Sequence, residues 1–182
     1  MITIKDMFRA LLKRELYLDI PAMVVIAILP VFLGLFLILK WERIVGIKSF
    51  ISFPFNLILF FIFFITGDII VWRAYTYLVI VGEGGPNPQL GGTKKLVTTG
   101  PYSIVRHPSV VGKLLGVIGV GFLFNSRIFI FFVIPILLLC SILYNRFIQE
   151  KGCVEKFKDE YLAYRKKVPM IIPRFGKKYI QK

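Results

Sequence analysis

Apolar residues fall into four long blocks along this chain, and most charges sit between the blocks. Residues 20–39 carry no charge. At ~1.5 Å per residue, that length crosses a hydrocarbon core of about 30 Å. Pro21 lies at the start of this block, whereas Pro30 is central and is expected to kink it. Lys40, Trp41, Glu42 and Arg43 then read as a charged, aromatic interfacial turn. Residues 50–81 form a second block, too long for an upright span, which predicts a tilted helix or one that continues beyond the membrane. Asp68 and Arg73 lie inside it. A carboxylate is costly in hydrocarbon unless paired or hydrated, so Asp68 reads either as facing a site or as interfacial.

Residues 110–124 are apolar except for Lys113, and residues 128–144 follow after the turn Asn125-Ser126-Arg127. These two limbs predict a short membrane hairpin. Gly112 and Gly116, four apart, have the small-xxx-small spacing that lets helices approach closely. Ahead of the first block, Ile4, Met7, Phe8, Leu11, Leu12 and Leu18 recur at helical spacing among basic residues. That suits a helix in the headgroup region or an extension of the first span. Behind the last block, residues 151–167 are charged and helix-prone, and Pro169 and Pro173 stop them.

The pattern predicts an all-α, polytopic integral membrane protein. It has about four transmembrane helices, a short helical hairpin and a cytoplasmic C-terminal helical cap. Residues 1–81 hold the interfacial helix and two spans. Residues 82–182 hold a polar loop, the hairpin and basic C-terminal helices.

Composition narrows this further. The chain is 57% hydrophobic and only 19% charged, below the roughly one-quarter charged of a soluble domain. The net charge of +14 does not imply nucleic acid, because the basic residues flank spans and match anionic lipid headgroups. Eleven of the 24 basic residues lie from Arg146 onward. The positive-inside pattern therefore places both termini on the cytoplasmic side of a multi-pass protein in the cell membrane. Cys140 and Cys153 are too few and too apolar in setting for a disulfide framework, and no metal site is expected. The sequence shows no need for a protein partner.

Residues 82–93, GEGGPNPQLGGT, support no regular element. They lack the spacing of the standard phosphate-binding loops and read as a flexible loop over a site. Next comes the polar stretch of residues 95–112, KLVTTGPYSIVRHPSVVG, with the chain's only histidine, His107.

This stretch resembles the membrane signature LVxxGxYxxxRHPxYxG. The segment from Gln149-Glu150 to Tyr164, followed by Val168-Pro169-Met170-Ile171-Ile172-Pro173, resembles its distant partner. Together they resemble the isoprenylcysteine carboxyl methyltransferase and phospholipid methyltransferase group over residues 82–175. The resemblance implies methyl transfer from S-adenosyl-L-methionine to a membrane lipid or isoprenoid-linked substrate, with a carboxylate or amine acceptor. It implies cofactor contacts from Lys95, Leu96, Val97, Thr98, Tyr102, His107, Pro108, Ser109 and Val110, and Arg106 joins them as a cation suited to the cofactor's carboxylate. Glu150 joins them on the cofactor side, and Arg146 on the substrate side, as the catalytic pair.

Strict counting back from Phe157 gives Asn145 and Gln149 for that pair. A slide of one residue gives Arg146 and Glu150, which keeps both charges four apart on one helical face. The chain departs from the signature in four places. One of the paired glutamates is Gln149, the tyrosine of RHPxYxG is Val110, the glycine after Phe157 is Lys158, and a leucine is Cys153. Two other functions stay open on the sequence: a membrane lipid reductase using a nicotinamide cofactor, and a non-catalytic protein binding lipid or cofactor.

Overall fold

The computed structural model describes residues 34, 36–46, 51–85 and 92–173. The expected headgroup helix, most of the first span with Pro30, residues 86–91 and residues 174–182 lie outside the described residues. Among the described residues all regular structure is helical, with no strand.

Residues 36–45 form α1, which runs through Lys40, Trp41, Glu42 and Arg43 where the sequence suggests a turn. Glu42 gives the reason. Its side chain is buried, and Oε1 accepts a hydrogen bond from the Ile128 backbone N–H at 2.8 Å. Helix N-termini leave such N–H groups without intrahelical acceptors, and a carboxylate there also meets the positive end of the helix dipole. Glu42 thus serves a distant helix and does not end its own.

The second block forms one helix, α2, Phe55–Ile80. Its 26 residues extend ~39 Å at the helical rise, longer than a bilayer core. Pro54 precedes it, where the missing N–H breaks no ladder bond. Phe55, Phe61, Ile62, Ile65 and Ile69 are exposed along it, and almost none of the apolar stretch is buried. A soluble core helix would bury such a face, so this one suits lipid. Asp68 is exposed near its middle.

Helix α3, Pro108–Phe124, lies along α2. The seam between them is made of glycines. A Cβ on Gly67 would come within 2.5 Å of the Gly112 carbonyl oxygen, and one on Gly112 within 2.5 Å of the Gly67 oxygen. A Cβ on Gly119 would come within 3.0 Å of the Phe60 oxygen. One on Gly116 would meet nothing, although its backbone nitrogen lies against Gly67. The small-residue seam therefore runs through Gly112 and Gly119, two turns apart, and not through the Gly112–Gly116 pair as side-chain positions.

Asn125 ends α3 in the left-handed conformation, φ 55°. Its Oδ1 accepts from the Ile51 N–H at 3.2 Å, which ties the start of the α2 segment to the hairpin turn. Ser126 Oγ accepts from the Phe129 N–H at 3.1 Å and opens the next helix.

That helix runs from Phe129 to Lys167 with one kink, at Lys158. It runs through a π-helical turn at Phe129–Val133, then α4, Ile134–Tyr144, a second π-helical turn at Asn145–Gln149, and α5, Glu150–Lys167. The sequence suggests a limb ending at Tyr144 and a separate tail helix. No glycine or proline lies at residues 145–149 to stop the first, and the chain stays helical there. A π-turn holds one residue more than an α-turn. Phe129 and Ile134 are buried against Ile38, Leu39, Leu114 and Ile118, which joins α1, α3 and α4.

Two helices among the described residues are long and apolar enough to cross a membrane: Phe55–Ile80 and Phe129–Lys167. The sequence suggests about four spans. Helix α3 is apolar but shorter, at 17 residues.

Candidate functional site

The polar stretch between α2 and α3 is fastened at both ends. Lys94 and Lys95 donate their backbone N–H groups to the Gly82 oxygen, at 2.7 and 3.1 Å. The exposed Lys95 ammonium pairs with Glu83 and holds that carboxyl below its ordinary range. Val97 and Tyr102 are buried against Ala74 near the end of α2. Gly100 permits the turn between them at φ +62°, and a Cβ there would strike the Tyr77 ring at 2.2 Å. Pro101 then sits in the first turn of a short 3₁₀ helix, Gly100–Ser103. Burial pushes the Tyr102 hydroxyl well above its ordinary value, and Tyr164 and Tyr75 add to the effect, so it stays neutral.

The tail closes over this stretch through its backbone. Arg106 N–H donates to the Pro169 oxygen at 2.9 Å, and His107 N–H donates to the Met170 oxygen at 3.1 Å. Tyr164 Oη donates to the Tyr102 oxygen at 2.6 Å in a buried setting. Both prolines that stop the tail helix thus follow a helix end already docked on the RHP segment.

Charge completes the junction at Glu150, whose side chain is 1% exposed. Arg106 Nη1 approaches Oε1 at 2.8 Å, and Arg165 Nε approaches Oε2 at 3.3 Å. His107 Nε2 stands 3.6 Å from Oε1, too far for a firm hydrogen bond. Glu150 lies beyond the apolar stretch of its helix. Burial pushes its carboxyl up, but the approach of His107 and the charges of Arg106 and Arg165 hold it below the ordinary value. It is therefore ionised at neutral pH. A carboxylate so enclosed persists because its charge is paired.

Beside this junction lies a cavity of about 550 Å³, within the roughly 300–1,000 Å³ range of small-molecule sites. Leu96, Val97, Tyr102, Arg106, His107 and Ser109 line it. Glu150 is buried directly behind Arg106 and His107. Lys95, Thr98, Pro108 and Val110 lie in the same segment but off the cavity wall. Arg146 is exposed and also off the wall, so the structure does not bring it together with Glu150. The π-turn at Asn145–Gln149 supplies the reason. The extra residue rotates the chain, so that the buried positions are Asn145 and Glu150, five apart. The pair expected at a spacing of four is split between two faces.

Sequence reasoning missed part of the wall. Tyr75 and Leu78 reach it from the end of α2, and Lys113 from α3. Gln149, Cys153, Phe157, Tyr161 and Tyr164 reach it from the last helix. Phe157, Tyr161 and Tyr164, at spacings of four and three, carried a sequence signal for one helical face. Nothing in the sequence marked Tyr75, or Arg165 as a partner of Glu150.

Known proteins give this arrangement a context. A family model described as phospholipid methyltransferase matches residues 55–159, more than half of the chain. Over 83 residues the chain is 39% identical to the protein-S-isoprenylcysteine O-methyltransferase of Schizosaccharomyces pombe. That match covers 43% of this chain and 33% of the yeast protein. It is 34% identical over 83 residues to the cobalt-zinc-cadmium resistance protein CzcN of Cupriavidus metallidurans, covering 44% of this chain and 37% of that protein. The matched region thus spans about a third of the length of these curated relatives. No solved structure matches the chain.

Proposed function

The chain belongs to the phospholipid methyltransferase family, as a divergent member, and from that premise we propose that it transfers a methyl group from S-adenosyl-L-methionine to a membrane lipid or isoprenoid-linked acceptor. The acceptor atom is a carboxylate oxygen or an amine. The observation that carries this reading is the cavity walled by the RHP segment on one side and the last helix on the other, with Glu150 joining the two.

The residues present fit the proposed cofactor. S-adenosyl-L-methionine supplies a methyl group activated by a positively charged sulfur. An unpaired Arg106 would repel that charge, and Glu150 offsets the guanidinium at 2.8 Å. Aromatic faces attract cations, and Tyr75, Phe157, Tyr161 and Tyr164 border the space. Glu155, on the wall, suits the cofactor's ammonium. His107 Nε2 is buried and has no hydrogen-bond partner among the described residues, which leaves it to bond a group entering the cavity. Methyl transfer needs no covalent intermediate on the protein. Holding donor and acceptor in line is the chief contribution, and such positioning is worth several kcal/mol.

On this reading residues 82–182 carry the chemistry, with Tyr75 and Leu78 added from the anchoring part. The protein is a multi-pass protein of the cell membrane with both termini cytoplasmic, and its basic flanks face anionic headgroups. Arg146, off the cavity wall, is assigned none of the cavity chemistry.

The test is calorimetric titration of the purified protein with S-adenosyl-L-methionine. Radiolabelled cofactor and a total lipid extract then reveal what acquires label. Glu150→Gln is expected to weaken cofactor binding much more than Gln149→Ala. A folded protein that binds NADPH and not S-adenosyl-L-methionine would overturn the reading.

A further inference from the structure

Lys113 is the single charged residue in the apolar α3. It stands five residues from the polar end at Pro108, or ~7.5 Å along the helix axis. That depth falls where headgroups give way to acyl chains, and a cation there must reach water or a counter-charge. The side chain is exposed and lines the cavity. Its ammonium sits 5.7 Å from the centre of the Tyr75 ring, which lines the same cavity. A ring face at that distance attracts and orients a cation but does not neutralise it.

The other charged groups of the wall differ. Arg106 is 6% exposed and paired with Glu150. Lys156 follows Glu155 directly in the chain and on the wall. Lys113 makes no ion pair among the described residues, and its nearest chain neighbours are apolar. It is therefore a held, unneutralised cation on the membrane-facing helix of the cavity.

We infer that Lys113, oriented by Tyr75, binds an anionic group on the lipid-borne acceptor and so selects anionic amphiphiles for this cavity. The shared chemistry is a carboxylate or a phosphate on an acyl or isoprenoid chain. The inference rests on the methyl-transfer reading for what happens next, but the binding step stands by itself. The ammonium forms a charge-assisted hydrogen bond to the anion, and the chain lies along the exposed apolar flank of α2 and α3. This assigns to Lys113 the anion-holding role that sequence resemblance gives to Arg146.

The experiment titrates the purified full chain, in neutral detergent, with dodecanoate and with dodecyl phosphate, and separately with S-adenosyl-L-methionine. Dodecyl maltoside serves as the uncharged reference. Wild-type protein is expected to bind at least one anion above the reference, and which one binds separates the carboxylate source from the phosphate source. Lys113→Met is expected to weaken that binding by about tenfold or more, the size of one hydrogen bond to a charged group. Lys113→Arg is expected to restore most of it. Retained S-adenosyl-L-methionine binding in Lys113→Met shows that the variant is folded. Lys151→Ala, an exposed cation outside the cavity, is expected to bind as wild type.

The inference is overturned if neither anion binds, if Lys113→Met and wild type bind alike, or if Arg146→Ala carries the loss in place of Lys113→Met. Failure of the anion arm with S-adenosyl-L-methionine still bound leaves the methyl-transfer reading standing. Failure of the cofactor arm with anion binding intact does the reverse.

Discussion

The seam between α2 and α3 and the junction at Glu150 hold the same protein together by opposite means. At the seam, Gly67, Gly112 and Gly119 remove side chains so that two backbones meet. The glycine contacts themselves carry no charge, and lipid outside is as apolar as the helices, so close contact is the main attraction available to them. At the junction, Arg106, His107 and Arg165 surround one carboxylate, and backbone hydrogen bonds add to the closure. Shape governs the glycine seam, and charge governs the junction beside the cavity. Each region should fail in its own way.

The largest effect is expected from Glu150→Ala. It leaves the buried Arg106 guanidinium and the His107 imidazole without their carboxylate, with Arg165 partly exposed beside them, a loss of about 3–5 kcal/mol. Denaturation in detergent measures it, and cofactor titration should show binding lost before unfolding. The junction should also fail in acid. Glu150 titrates lower in the folded protein than in the unfolded chain, so its contribution is complete above the ordinary value of 4.5. It is lost as pH falls through the depressed folded value. A melting temperature that falls as pH drops below about 4.5 in wild type, and is flatter in Glu150→Gln, is the expected result.

Gly67→Ala comes next. The added methyl must displace backbone at 2.5 Å, an overpacking loss of about 1–3 kcal/mol. It should be independent of pH. Gly116→Ala, with open space for its methyl, should be nearly neutral, and equal effects at the two positions would break the contrast. Tyr164→Phe should lower stability by about 1 kcal/mol, by removing the donor to the Tyr102 oxygen.

The smallest change should be a gain. Lys158 holds φ 47° and ψ −124° inside α5, a conformation that glycine adopts readily and lysine does not. Lys158→Gly should raise stability by about 1 kcal/mol, read as a higher melting temperature.

These regions were unequally legible in the sequence. The apolar blocks and the RHP segment stood out because solvent preference and punctuation leave one-dimensional traces. Gly112 was marked as a packing residue, but its partner Gly67 lies in another block, and only the crossing of two helices pairs them. The docking of the tail on residues 95–112 was visible through resemblance. The residues that close the junction were visible only in part. Glu150 stood out as a retained charge, whereas Arg165 looked like one of many basic residues in a tail rich in them. Arg146 was expected beside Glu150 because a regular helix pairs residues four apart. A π-turn changes that arithmetic, and no residue type announces one at Asn145–Gln149. Glu42 was read as an interfacial charge, since its target, the Ile128 N–H, is 86 positions away.

The continuous helix from Phe129 to the kink at Lys158 has a mechanical consequence. One end is packed among α1 and α3, and the other carries Glu150 with Gln149, Cys153 and Phe157 of the cavity wall. A rod that is longer than its bilayer tilts to fit, and a thinner bilayer tilts it more. The cavity is then mounted on a gauge of membrane thickness. Short-chain and long-chain lipid bilayers should give different affinities for one and the same cofactor.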